Sequence, residues 1–233
     1  MSIDTKTSKT VIILSALLII IITSIIFCYT QSYYKNFVRG ERCFKQDKYD
    51  QALTYFISAF EEKPKNLEVS QYIVWTYAKL NRQQDVAKAL QIMSEIDPGN
   101  WEAKKWLGDT YYGLDNFAKA EECYKDLLLV NRDFSLSMKL AEVLVWQKKY
   151  TEAIPVLKEL LQQRPNDYQL IEFLADVYSW QKEYDEAIML YKQLLSEGST
   201  SKEIALKLAE ILRFAGRDAE AAKIYNQYLK GVK

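Results

Sequence analysis

The sequence of 233 residues contains no histidine. Because histidine is the most common general base and a common transition-metal ligand, its absence argues against a catalytic triad and a histidine-bound metal. The three cysteines, Cys28, Cys43 and Cys123, lie far apart without a CxxC spacing, which gives no support to a disulfide framework or a zinc site. We therefore expect a protein that is not an enzyme and that binds no metal or cofactor.

Turn-forming residues and an excess of one charge are also lacking. Seven glycines and four prolines argue against a strand-and-turn fold, whereas 49% hydrophobic residues and 17 tyrosines favour helices with aromatic cores. The 31 basic residues balance the 31 acidic residues and are scattered along the chain. The basic patch of a nucleic-acid-binding protein is missing, so we expect no nucleic-acid partner.

One long apolar run, Val11 to Tyr29, contains no charged residue. Its nineteen residues would rise about 28 Å as a helix, close to the ~30 Å hydrocarbon core of a bilayer. Bulky Phe27, rather than a small residue, precedes Cys28, which favours an uncleaved anchor over a cleaved signal peptide. The sequence thus predicts a short tail at 1–10, a transmembrane helix at 11–29, a linker at 30–36 and a repeat domain at 37–233.

The orientation of this predicted anchor depends on nearly balanced flanking charges. Lysines at 6 and 9 precede the run, and basic residues at 35, 39 and 42 follow it. A short, lysine-bearing N-terminus is typical of a signal anchor, which keeps the N-terminus in the cytoplasm. We expect a single-pass protein of the bacterial inner membrane with its repeat domain in the periplasm, while a cytoplasm-facing repeat domain remains the alternative.

The second half of the chain repeats itself. The stretch LADVYSWQKEYDEAI, Leu174 to Ile188, nearly copies LAEVLVWQKKYTEAI, which begins 34 residues earlier at Leu140. The alanine near the end of this stretch recurs along the chain, with Val86 in the place of one member; the alanines are Ala52, Ala120, Ala153, Ala187 and Ala221. A fixed period of this length indicates a stacked-repeat architecture.

The best-preserved unit is WLGDTYYGLDNFAKAEECYKDLL, Trp106 to Leu128. It resembles the tetratricopeptide repeat through Leu107, Gly108, Tyr111, Phe117, Ala120 and Tyr124. The resemblance covers about six units from Tyr33 to the C-terminus, the second of which, Leu67 to Asn100, is degenerate. It implies an all-α fold, an α-solenoid of about six helical hairpins, here preceded by one transmembrane helix.

Two columns of residues fall on the first helix of each hairpin, which the resemblance implies lines a concave groove. One column is acidic and the other, four residues later on the same helix face, is aromatic. The acids are Glu41, Asp109, Glu142, Asp176 and Glu210, and the aromatic residues are Trp146, Trp180 and Phe214. In one interpretation, the rings wedge between successive first helices and the acids form a solvated face. In the other, both columns grip an extended peptide or a sugar chain.

The last predicted helix carries an apolar stripe. Its members are Ile224, Tyr225, Tyr228 and Leu229. Part of this stripe is expected to pack on its own hairpin. The remainder predicts a docking patch for a second copy or for another protein.

Together these features predict a membrane-anchored scaffold that binds other proteins, within a larger membrane complex of a bacterial envelope or secretion assembly. Two alternatives remain open at this point. One is a cytoplasm-facing receptor that captures client peptides. The other is a polysaccharide-binding scaffold in exopolysaccharide export, in which the aromatic column holds the sugar chain.

Overall fold

The computed structural model describes the backbone of residues 5–196 and 202–229, and the side chains of residues 14–25, 31–196 and 202–228. The described elements are helical, as predicted. The chain divides into two compact units, Met1–Thr110 and Tyr111–Lys233.

The first unit consists of consecutive helices, of which the first four pack each on the next. Its helices are α1 (Thr5–Lys45), α2 (Tyr49–Glu62), α3 (Leu67–Lys79), α4 (Gln83–Ile96) and most of α5 (Trp101–Gly113). Aromatic rings fill the space between α1, α2 and α3, where Phe56 stacks on Tyr72 with 4.9 Å between ring centroids. Stacked rings therefore join these three helices, while the buried residues of α4 are aliphatic.

The second unit repeats the hairpin arrangement, and each helix again packs on the next. Its helices are α6 (Phe117–Val130), α7 (Phe134–Trp146), α8 (Tyr150–Gln163), α9 (Tyr168–Trp180), α10 (Tyr184–Ser196), α11 (Lys202–Phe214) and α12 (Asp218–Ile224), followed by a π-helical turn (Tyr225–Leu229). The recurring alanines of both units lie in the core: Ala52, Ala120, Ala153 and Ala187 are fully buried and Ala221 is nearly so. The predicted all-α hairpin architecture is confirmed.

The two helices of each hairpin are joined by the same tight turn. The middle residue of this three-residue turn has a positive φ in all six hairpins: Asp47, Asn81, Asp115, Lys148, Lys182 and Gly216. In the fourth hairpin, the Lys149 N–H donates to the Leu144 carbonyl and the Lys148 N–H donates to the Val145 carbonyl, both at 2.8 Å. This pair of bonds is a Schellman motif, which satisfies carbonyl groups at the end of the first helix.

Lysine is a costly residue at such a left-handed position, because its Cβ approaches the backbone in this conformation. Lys182 has φ 67° and an exposed side chain. We expect Lys182→Gly to raise the free energy of unfolding by about 1 kcal/mol, measured by urea denaturation. The reciprocal change Gly216→Ala should lower the free energy of unfolding by a similar amount. If the natural chain and both variants were equally stable, the left-handed conformation would carry no cost for these residues.

The predicted single-pass membrane localisation is wrong for the part of the chain that the structure describes. Among these residues, no helix combines the length and the apolar character that crossing a bilayer requires. Within the run Val11 to Tyr29, side chains are described only at 14–25, a segment that rises about 18 Å against a ~30 Å hydrocarbon core. The remaining positions, 11–13 and 26–29, lie outside the described side chains.

The predicted linker at 30–36 is helical in the structure. Helix α1 runs from Thr5 to Lys45 without interruption and therefore includes these residues. Its C-terminal part packs against α2 as the first helix of the first hairpin. The start of the repeat domain at residue 37 stays a prediction, since α1 has no break there.

Candidate functional site

The acidic column mainly connects neighbouring hairpins. In the first unit, the Tyr72 hydroxyl of α3 donates to Glu41 of α1 at 2.7 Å. In the second unit, the Lys207 ammonium of α11 donates to both carboxylate oxygens of Asp176 on α9, at 2.9 and 3.2 Å. These two acids, predicted as groove residues, are thus occupied by donors from the following first helix.

Asp176 lies in a small network of polar groups. The Tyr191 hydroxyl of α10 also donates to Asp176, and Lys207 bridges to Glu172 at 2.8 Å. Burial lowers the pKa of Lys207, but the hydrogen bonds to Glu172 and Asp176 outweigh this effect and raise it. Burial and the bond to Asp176 raise the pKa of Tyr191, so it stays a neutral donor. Hydrogen bonds and ion pairs of this network therefore link α9, α10 and α11.

The other acids of the column differ in exposure. Asp109 and Glu142 are half-buried. Burial raises the pKa of Glu142, opposed by the charge of Lys139 and by a hydrogen bond from Tyr112. Glu210 is exposed, and no hydrogen bond or ion pair reaches it from the side chains that the structure describes. The column is not a uniform row of free carboxylates.

The aromatic column forms an exposed row in the second unit. Trp146, Trp180 and Phe214, which we call the aromatic row, are the last residues of α7, α9 and α11, and are 62%, 49% and 62% exposed. Each ring rests on the first residue of the preceding second helix. The pairs are Trp146 with Phe117 at 6.0 Å between centroids, Trp180 with Tyr150 at 6.1 Å, and Phe214 with Tyr184 at 6.3 Å. One side of each ring serves packing, and the rest is open to solvent.

Polar contacts fix the rings and the turns beside them. The Trp146 indole N–H donates to the Tyr112 hydroxyl at 3.3 Å, and the ring lies within 8° of parallel to Phe117. The following residue, Gln147, donates to the Phe117 carbonyl at 3.3 Å. Gln181, which follows Trp180, likewise donates to the Thr151 hydroxyl at 3.3 Å. Hydrogen bonds therefore hold the Trp146 ring and the turns that follow Trp146 and Trp180.

Glu121 of α6 is a buried charge that the sequence analysis missed. It accepts hydrogen bonds from Lys125 at 2.5 Å, Gln147 at 2.6 Å and Lys149 at 2.8 Å, and is only 7% exposed. Burial raises the pKa of Glu121, but these three donors outweigh it and lower the pKa to about 2. The repeat could have indicated that position 121 is buried, because the equivalent residues of the next two hairpins are the apolar Ile154 and Ile188, which are both buried.

An apolar groove in the first unit was also missed. It has a volume of about 260 Å³ and is lined by residues of α2, α3 and α4, including half-exposed Ile57 and Ile92. The lining comes from three helices, so no single stretch of sequence reveals it. Accessible apolar surface is thus present in both units.

The predicted C-terminal patch is partly covered. Ile224, Tyr225 and Tyr228 are half-buried, and the π-helical turn that contains the two tyrosines packs on α11. The side chain of Leu229 lies outside the described residues. The role of this patch in docking stays a prediction.

Comparison with protein families identifies a repeat family along much of the chain. Three segments, residues 80–143, 144–188 and 181–231, match the tetratricopeptide repeat. Together they span residues 80–231, which is more than half of the 233-residue chain. Comparison with curated proteins finds no match.

Several solved structures share the fold at low sequence identity. MamA from Desulfovibrio magneticus, residues 41 to the end, is 16% identical with a TM-score of 0.58, covering 70% of this chain and 93% of that one. YrrB, described as having an unusual peptide-binding site, is 15% identical with a TM-score of 0.58, covering 75% and 90%. The Naa15/Naa10 complex bound to HypK-THB is 17% identical with a TM-score of 0.56, covering 84% and 31%. These likenesses concern the fold alone.

Proposed function

This chain belongs to the tetratricopeptide repeat family, and from that premise we propose that it is a protein-binding scaffold that holds an extended partner segment on its aromatic row. The observation that carries the proposal is the exposure of the row. Trp146, Trp180 and Phe214 are half or more exposed although they recur at the same place in three hairpins. Rings that served packing alone would be expected to bury more of their apolar surface at that place.

The support beneath each ring favours binding. Exposed tryptophan and phenylalanine side chains offer large apolar areas, and tryptophan is enriched among residues that dominate binding energy. Each ring already lies against Phe117, Tyr150 or Tyr184, so little side-chain freedom remains to be lost when a partner docks. A preformed row of this kind suits an extended segment that places successive side chains on successive hairpins.

A peptide is the ligand that we propose, and a sugar chain is the competing one. The peptide-binding site described for YrrB is a property of that protein, and it supports the choice because the two chains share a fold. Donors and acceptors also surround the row, including the exposed carboxylate of Glu210 beside Phe214 on α11. Sugar rings stack on tryptophan as well, so experiment must separate the two ligands.

The test replaces two members of the row. In Trp146→Ala/Phe214→Ala, we expect the capture of specific protein partners to fall about tenfold or more, because truncated anchor residues typically cost 2 kcal/mol or more. Partners are identified by photo-cross-linking from position 180 in cells that naturally make the protein, and their recovery is then compared between variants. Circular dichroism verifies that both chains remain helical.

Met189→Ala is the matched control. Met189 is 63% exposed on α10, a second helix, and lies outside the row. Equal capture by the double variant and by Met189→Ala would reject the proposed site. A change of tryptophan fluorescence on adding soluble polysaccharide, without row-dependent protein capture, would instead favour the carbohydrate alternative.

A further inference from the structure

The same contact between first helices occurs in both units. In each unit, an acid accepts a hydrogen bond from a donor that follows 31 residues later, Tyr72 to Glu41 and Lys207 to Asp176. At Glu41 and Asp176, the acid therefore lies on the face of a first helix that receives the next first helix, whereas Glu142 accepts from Tyr112 of the preceding first helix. The donor is a phenol in one unit and an ammonium in the other, so the requirement is for a donor of either kind.

Helix α11 presents the accepting half of this contact. Glu210 stands 34 residues after Asp176, and Leu206 stands 34 residues after Glu172. Glu210 is exposed and Leu206 is 48% exposed, whereas the Asp176 side chain is only 22% exposed beneath Lys207. Among the residues with described side chains, none donates to Glu210. Within residues 31–196 and 202–228, the acceptor and a neighbouring apolar side chain are present without a donor.

We infer that this surface, made of Leu206 and Glu210 and called the α11 face, docks an amphipathic helix of a partner protein. The partner helix carries a lysine or tyrosine that donates to Glu210, as Lys207 and Tyr72 do within the chain. An apolar residue one turn away on that helix covers Leu206. Neither residue is one of the three rings of the aromatic row, although Glu210 stands one turn before Phe214 on α11.

The side chains of the α11 face restrict which partner helices can bind. Lys207 bridges two carboxylates, at 2.8 Å to Glu172 and 2.9 Å to Asp176. On the α11 face, Leu206 takes the place of Glu172, so an incoming lysine meets one carboxylate and one apolar side chain. The face thus selects a helix that has its donor beside an aliphatic residue, and it disfavours a helix with an acid at the donor position.

A stapled helical peptide tests the inference on the full chain. The probe has the sequence of α11, KEIALKLAEILRF, in which the lysine at position 207 is free of its partners in the chain and has a leucine on either side. Fluorescence anisotropy of the labelled peptide should show saturable binding. Glu210→Gln in the chain should weaken this binding about tenfold, and the matched exposed carboxylate change Glu186→Gln on α10 should leave it unchanged.

A charge exchange makes the test specific for the pair. A chain with Glu210→Lys should bind the original peptide poorly and should recover binding with a peptide that carries Lys207→Glu. Absence of binding, binding that is equal in the Glu210→Gln chain, or failure of the exchange would overturn the inference. Sedimentation of the chain alone adds one outcome: self-association that Glu210→Gln abolishes would assign the face to a second copy instead of a partner helix, and would likewise overturn it.

Discussion

An alanine at position 40 is expected to lower the free energy of unfolding by about 2 kcal/mol, although alanine favours a helix over glycine by about 1 kcal/mol. A methyl group on Gly40 would lie 2.6 Å from Cε1 of Phe56. The Phe56 ring is fully buried, stacks on Tyr72 and contacts Phe37 at 6.0 Å between centroids, so it has no space to move into. Helix α1 must then shift away from α2, and urea denaturation followed by circular dichroism measures the loss.

Gly113→Ala is the control for this prediction. A methyl group there meets nothing within 4 Å, so the helix preference of alanine should act alone and raise stability by up to about 1 kcal/mol. Adding Phe56→Leu to Gly40→Ala should recover part of the loss, because the smaller side chain relieves the overlap. If Gly40→Ala and Gly113→Ala changed stability in the same direction, the close approach of α1 and α2 would not be the reason for glycine at position 40.

The hairpins were predictable because their information is local and repeated. Ala153 and Ala187 recur with the same neighbours, and only a small side chain suits the close approach of two helices at each place. The turns were not predictable in the same way. Lys148 and Lys182 adopt the left-handed conformation that favours glycine, so their residue type conceals the Schellman motif that ends each first helix.

The acidic column shows where sequence reasoning stops. Its positions followed from the repeat, but the donors to Glu41 and Asp176 come from side chains 31 residues away. A solvated face and a ligand groove were the only interpretations that the sequence offered, and inter-helix hydrogen bonding is a third. The aromatic row, in contrast, could be predicted from the sequence. Its recurrence and its location near the ends of the first helices follow from the repeat, and only the rings beneath it required the structure.

The apolar run at the N-terminus shows a different limit. Its composition suggested a spanning helix, a linker and a separate domain. In the structure, α1 carries the chain from Thr5 to Lys45 into the first hairpin, where Phe37 and Gly40 pack against α2. Composition alone contains no information on where one helix ends and another begins, because the helix continues wherever good helix-forming residues follow.

Acid should remove the contribution of Glu121 to stability. Its pKa is lowered from the ordinary 4.5 to about 2 in the folded chain, so the stabilisation is complete above pH 4.5 and is lost as the pH falls towards 2. This pKa shift corresponds to a contribution of about 3 kcal/mol to the free energy of unfolding. Solvent screens the ion pairs of Glu121 little, because its side chain is only 9% exposed. We expect Glu121→Gln to be less stable than the natural chain by about this amount at pH 6, and nearly equal to it at pH 2, as measured by urea denaturation at each pH.

Two further variants separate the charge of Glu121 from its position. Glu122→Gln changes an exposed neighbour and should alter stability by less than about 0.5 kcal/mol at every pH. Glu121→Ile places the residue of the later hairpins at this site and leaves Lys125 and Lys149 with 49% and 39% of their side chains exposed to water. Because both ammonium groups can be hydrated and isoleucine, unlike glutamine, buries an apolar side chain at this position, this variant should stay within about 1 kcal/mol of the natural chain at pH 6 and lack its loss of stability between pH 4.5 and 2. A Glu121→Gln chain that kept the full acid-dependent loss would show that another carboxylate carries it.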